Sequence, residues 1–328
     1  MRKLALLLAL IGLAACGDDV LTSPKSKNVQ PPPHDLPEIP RSFEMANRRM
    51  EHLTVRVYDT GSVETRGSYV SSIKAWSSKV KLDVPVFLIK HPRRGLVLFD
   101  TGLHPEMEKS PGKRMGWVNH FFVPFEAQPG QTALSQLKAD GIDPAGVKTV
   151  IVSHLHLDHA GTIDGYPNAE VVVDKREWEA QKAKQAKSFD EHEVDPIALE
   201  HKLKLRLVDL SKEPAFGAFD HGLDLFGDGT VVLLDLSGHT AGNMGAWVNL
   251  DSGPILLTGD ASCILDNHQD LALPMKSRIY DLTAYWRRLY QMRAMQEAIP
   301  QLVIFPGHDL QPLKLQPRDD VTLAPFPR

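Results

Sequence analysis

A chain of 328 residues with 42% hydrophobic content is long enough to bury a large core, and two cysteines are too few for the disulfide framework of a small secreted domain. A formal net charge of −4, with no basic run interleaved with aromatics, argues against a nucleic-acid partner.

At the amino terminus Met1-Arg2-Lys3 is a basic start, Leu4 to Leu13 is almost continuously apolar, and Leu13-Ala14-Ala15-Cys16 ends the run with small residues before a cysteine. The apolar part is too short to span a bilayer stably, so residues 1–15 read as a signal peptide with a lipoprotein cleavage box. This predicts an exported protein anchored to a membrane by lipid on Cys16, at the outer membrane or the periplasmic face. Gly17, where an aspartate would argue otherwise, favours the outer membrane. An ordinary secretory peptide cut near Ala15 is the alternative. Residues 16–45 contain Ser23-Pro24-Lys25-Ser26-Lys27 and Pro31-Pro32-Pro33 without hydrophobic periodicity, and read as a flexible Pro-rich tether. Residues 46–328 form the remaining domain.

Within that domain strand-like and helix-like stretches alternate without an internal repeat. The predicted strands are Leu53 to Tyr58, Leu82 to Ile89, Leu96 to Asp100, Val147 to Val152, Glu170 to Val173, Val231 to Leu236, Ala246 to Leu250, Pro254 to Leu257 and Leu302 to Phe305. The predicted helices are Thr132 to Ala139, Lys175 to Lys187 and Thr283 to Ala298. In the last of these Tyr285, Leu289, Met292 and Met295 recur at spacings of three and four, a core-facing stripe. Lys182, Lys184 and Lys187 read as a solvated helix face. Periodicity by itself gives only a mixed α and β fold.

The chemistry concentrates in His154-Leu155-His156-Leu157-Asp158-His159, directly behind Val150-Ile151-Val152. Residues two apart in an extended segment point the same way, so His154 and His156 can hold one ion, and Asp158 and His159 can reach a second after the chain turns. Three later strands also end in a potential ligand: Leu233 to Leu236 leads to Gly238-His239, Ile255 to Leu257 to Gly259-Asp260, and Leu302 to Phe305 to Gly307-His308. Any one of these histidines could be an ordinary loop residue. The set together points to a two-metal hydrolytic site.

These motifs resemble the metallo-β-lactamase superfamily, and within it the N-acyl-homoserine lactone lactonases that degrade quorum-sensing signals. The resemblance covers roughly Leu82 to Gln311 and includes Leu98-Phe99-Asp100-Thr101-Gly102. It implies an α/β fold, specifically a four-layer αββα sandwich with ligands on loops at one sheet edge, and makes residues 46–328 a hydrolase domain. It implies that His154, His156 and His239 hold one divalent ion, that Asp158, His159 and His308 hold the other, and that Asp260 bridges them, with zinc as the expected metal. Asp158 and Asp260 are the expected catalytic carboxylates, Asp158 either holding metal or shuttling the leaving proton. Asp100 orients a ligand histidine or is a plain turn residue, and Asp309 supports the site or is exposed.

One position departs from the lactonases. Three residues after the bridging aspartate they carry a tyrosine, and here Cys263 stands there. A thiol is a weak hydrogen-bond donor and shorter than a phenol, so Cys263 reads as a small buried filler. Tyr280 and Tyr285 could bring a phenol in from another direction, although packing on or within the following helix is the simpler role for each.

Two ions sharing a water lower its pKa towards neutrality, and the hydroxide so formed would attack a ring ester without a side-chain nucleophile. The expected partner is therefore a small lactone or ester, with a homodimer left open. Aryl-ester, phosphotriester, β-lactam and thioester hydrolysis use the same metal core, and substrate choice would lie in loops 109–128 and 264–280. A metal-binding surface lipoprotein without turnover is the reading from a different class.

Overall fold

The computed structural model describes residues 52–110, 124–186, 194–310 and 319–321. The predicted signal peptide and tether, Lys187 and most of the 109–128 loop lie outside the described residues. Among the described residues no helix is long and apolar enough to cross a membrane.

Twelve strands are present among the described residues: β1 (Thr54–Arg66), β2 (Lys79–His91), β3 (Gly95–Phe99), β4 (Phe125–Glu126), β5 (Val147–Ile151), β6 (Glu170–Asp174), β7 (Lys204–Val208), β8 (Gly222–Asp224), β9 (Val231–Asp235), β10 (Met244–Leu250), β11 (Gly253–Leu257) and β12 (Val303–Phe305). The α-helices are α1 (Gly67–Val70), α2 (Ala133–Ala139), α3 (Leu157–Ala160), α4 (Lys175–Gln185), α5 (Pro196–Leu199), α6 (Leu265–Asp270) and α7 (Leu282–Ala298). One sheet runs β4-β1-β2-β3-β5-β6-β7 and the other β12-β11-β10-β9-β8.

Side-chain alternation explains why the sheets stack. On β2, Phe87 and Ile89 join Val97 and Phe99 of β3, Val231 and Leu233 of β9 and Ile255 and Leu257 of β11 in one apolar layer between the sheets. Val86 and Leu88 point the other way, into a cluster with Leu137 of α2 and Trp178 of α4. Behind the second sheet, Val232, Leu234 and Trp247 pack against Met292 and Met295 of α7. The layers are therefore helix, sheet, sheet, helix, as expected. Being covered on both faces, β2 is buried continuously from Leu82 to Ile89.

Several boundaries differ from the sequence reading. β1 continues past Tyr58 to Arg66, because Asp59-Thr60-Gly61 carries a register irregularity rather than a turn. A Cβ on Gly61 would collide with Leu103 and sit 2.7 Å from the Glu126 carbonyl oxygen, so glycine there marks close packing. β4, β7 and β8 were not predicted; two are only two or three residues long, and β7 is an edge strand with little burial. The predicted Lys175 to Lys187 helix ends at Gln185.

Candidate metal centre

The fold carries all seven predicted ligands to one end of the sheets. His154 and His156 leave the end of β5, and His156 then caps α3, whose first turn holds Asp158 and His159. His239 follows β9, Asp260 follows β11 in a 3-10 turn, and His308 follows β12. The glycine before His308 allows close approach of two of these loops: a Cβ on Gly307 would strike Asp260 and lie 2.8 Å from the Gly259 carbonyl oxygen.

The ligand atoms fall into groups whose members lie within 4.8 Å of one another. His154, His156, His239 and Asp260 form one; Asp158, His159 and His308 form another; Asp260, Cys263 and His308 form a third that overlaps both. Asp260 thus touches each half: its carboxylate is 3.4 Å from His239 Nε2 and 3.1 Å from His308 Nε2.

Contacts on the outer side of four of the five imidazoles fix which nitrogen faces inward. His239 Nδ1 donates to the Arg278 carbonyl at 2.8 Å, and His308 Nδ1 to the Asp83 carbonyl at 2.7 Å. His159 Nδ1 lies 2.8 Å from the Asp100 carboxylate, and His154 Nδ1 lies 3.0 Å from Ser153 Oγ. The inner nitrogens then confront one another: His239 Nε2 is 3.2 Å from His156 Nδ1, and His159 Nε2 is 3.3 Å from His308 Nε2. Asp260 Oδ1 is buried and lies 3.1 Å from His308 Nε2 and 3.4 Å from His159 Nε2 without a well-aligned hydrogen bond to either. Buried ring nitrogens and a carboxylate oxygen converging on one space repel unless a cation or a proton lies among them, so the donor set fits imidazole- and carboxylate-bound divalent metal.

The electrostatics agree. Burial would lower His159, but the carboxylates of Asp158, Asp260 and Asp100 outweigh it and raise its pKa well above the usual value. His308 is raised against burial by Asp260 and Asp158. Burial would raise Asp260, yet His308 and His159 hold it well below the usual carboxylate range. On the other side burial takes His239 down to about 3 and also depresses His154, whose histidine neighbours add to the effect. The carboxylates therefore favour positive charge on the His159 and His308 side of the cluster, while burial holds His239 and His154 neutral.

Asp100 is a supporting residue rather than a plain turn. It accepts from Ser153 N at 2.7 Å, from Ser153 Oγ at 2.9 Å and from His159, and its backbone has φ of +63°. That left-handed conformation is uncommon outside glycine and persists here because three bonds hold the carboxylate. Asp309 is not simply exposed: it accepts from Leu265 N at 3.2 Å, anchoring α6. Cys263 is buried, and burial followed by the Asp260 charge pushes its thiol well up. Its Sγ nevertheless belongs to the third ligand group, so it packs directly against the site. Tyr285 is buried in α7 with a hydroxyl that has no hydrogen-bond partner, whereas Tyr280 precedes that helix and is 71% exposed. Packing thus accounts for Tyr285 but not for Tyr280. Of the predicted lysine face, Lys182 pairs with Glu200 at 3.0 Å and Lys184 lines a cavity beside His239.

Sequence reasoning missed Glu177. This buried carboxylate on α4 accepts from Leu155 N and Gly242 N, both at 3.0 Å, and so ties the first ligand loop to the His239 loop. Its only sequence signal is an acidic residue beside the buried Trp178.

The chain matches the family model of the metallo-beta-lactamase superfamily over residues 81–308. It is 32% identical over 268 residues to the N-acyl homoserine lactonase AttM of Azorhizobium caulinodans, spanning 78% of this chain and 93% of that relative. It is 32% identical over 231 residues to the AttM of Agrobacterium fabrum, spanning 67% and 81%. In fold it resembles a solved N-acyl homoserine lactone hydrolase with the product N-hexanoyl-L-homoserine at its catalytic metal center, with a TM-score of 0.65, 22% identity and coverage of 80% of this chain and 95% of that one.

Proposed function

Because the chain belongs to the metallo-beta-lactamase superfamily, we propose that it is a metal-dependent lactonase that opens the rings of N-acyl homoserine lactones. The observation that carries the reading is the meeting of two ligand groups at Asp260, in a chain similar along most of its length to lactonases.

His154, His156 and His239 would hold one ion, Asp158, His159 and His308 the other, with Asp260 between them; zinc suits this imidazole-rich set. Two such ions supply Lewis-acid polarisation of a carbonyl and activation of water at neutral pH. The protein's own contribution is orientation and proton handling. Asp100, Asp83 and Arg278 fix the ring orientation of His159, His308 and His239. Asp158 borders an open cavity together with His308, which supports a role for its carboxylate in carrying a proton to the departing ring oxygen. Burial would raise Asp158, but His159 and His308 lower it, so it begins ionised. Cys263 supplies no phenol to that oxygen, which leaves stabilisation of the alkoxide to the rest of the site.

Kinetic profiling of metal-loaded protein against acyl-homoserine lactones, δ-lactones, aryl esters, phosphotriesters and a cephalosporin tests this. Acyl-homoserine lactones should give the highest kcat/KM. An aryl ester or phosphotriester hydrolysed while no lactone is opened would replace the reading. We also propose, from the sequence of residues 1–17, that the enzyme is exported and lipid-anchored through Cys16.

A further inference from the structure

Two cavities meet the ligand cluster from its two halves. One, of about 470 Å³, is bordered by His156 and His239 and has polar walls that include Gln181 and Lys184. The other, of about 410 Å³, is bordered by Asp158 and His308 and is walled by Tyr69, Trp76, Leu82 and Phe125. Of the described lining residues, Arg278 alone is common to both.

Arg278 is held firmly at this junction. Its carbonyl accepts from His239 Nδ1, and its own N–H donates to Met275 O at 2.8 Å. Met275 N in turn donates to Tyr69 O at 3.0 Å, tying the turn to the wall of the second cavity. Arg278 is half-buried, and among the described residues its guanidinium makes no hydrogen bond or ion pair. A guanidinium offers five N–H donors and no acceptor, so a partly desolvated one at the junction of two cavities seeks an oxygen.

The substrate class proposed above supplies that oxygen. In an N-acyl homoserine lactone the amide nitrogen is bonded to the ring carbon next to the ester carbonyl. When the ester carbonyl lies at the ligand cluster, the amide must lie beside it, at the junction of the cavities. We propose that Arg278 donates to this amide carbonyl oxygen and thereby selects N-acylated lactones over lactones that lack the amide. The inference rests on the lactonase reading. It assigns Arg278 to positioning and specificity and leaves the hydrolytic step unchanged.

The test compares wild type, Arg278→Ala and Arg278→Lys on N-hexanoyl homoserine lactone and on an alkyl γ-lactone of matched chain length without an amide, with metal content measured for each. Arg278→Ala should lower kcat/KM on the acylated substrate about tenfold or more, chiefly through KM, while the γ-lactone changes by less than about threefold. Lysine, which keeps the charge but loses the fork, should restore part of the preference. Equal losses on both lactones would overturn the proposal, since Arg278 would then act on the ring or on the fold. No loss on either would also overturn it. Failure of the lactonase reading is distinguishable, because wild type itself would then open neither lactone, and the assignment of Arg278 would fall with it.

Discussion

Asp100 accepts from His159 across 2.8 Å while binding both the backbone N–H and the hydroxyl of Ser153. One carboxylate therefore sets the orientation of a ligand imidazole and fixes the end of the strand that delivers His154. Asp100→Asn preserves shape but removes charge and replaces one acceptor oxygen with a donor. Metal affinity should fall by about 10- to 100-fold, measured by competition with a chromophoric chelator. Unchanged affinity would mean that Ser153 alone orients the site.

Cys263 touches the ligand cluster, yet its thiol is held protonated by burial and the neighbouring Asp260 charge. A protonated thiol is a poor donor, so Cys263→Ala should change turnover of an acyl-homoserine lactone by less than about tenfold, under about 1.4 kcal/mol in the barrier. A hundredfold loss with metal content and fold intact would show that the sulfur takes part directly.

Behind the second sheet, Asp220 binds Arg287 at 2.5 Å and Arg288 at 2.6 Å. Burial would raise Asp220, but the two guanidinium groups outweigh it and hold its pKa below the usual carboxylate range. A folded pKa below the unfolded value of about 3.9 means that this contribution is fully present above about pH 4 and is lost as pH falls through the folded value. Asp220→Asn should therefore lower stability by roughly 1–3 kcal/mol at pH 7. In urea titrations the gap to wild type should close as pH drops below about 4. A gap that persists in acid would assign the loss to packing.

The amino-terminal reading has its own check. If Cys16 carries lipid, wild type should fractionate with membranes, and Cys16→Ser should be released or misprocessed. Wild type found wholly soluble in the periplasm or medium would count against the anchor.

The convergence of the seven candidate ligands was legible because each residue follows an apolar strand and four of the seven fall within six positions, so local sequence carried the arrangement. The supporting groups were hidden for a physical reason. Glu177 acts on loops 22 and 65 residues away, and Arg278 orients His239 through a backbone carbonyl, which any residue could supply. The predicted first strand stops at Tyr58, before Asp59-Thr60-Gly61, because nothing local shows that Leu103 packs against Gly61 and the strand runs on. The two tyrosines near the site could not be separated by spacing; only the capping of α7 by Asp281 places Tyr280 outside the helix and Tyr285 within it.

The most direct test of a binuclear lactonase is to titrate metal-stripped protein with zinc while following opening of N-hexanoyl homoserine lactone and measuring bound metal. Seven candidate ligands that meet at Asp260 exceed what one four- to six-coordinate ion uses. Activity should therefore reach its plateau only near two equivalents, and Asp260→Ala should abolish it. Full activity with one tightly bound ion, or full activity in Asp260→Ala, would contradict the account.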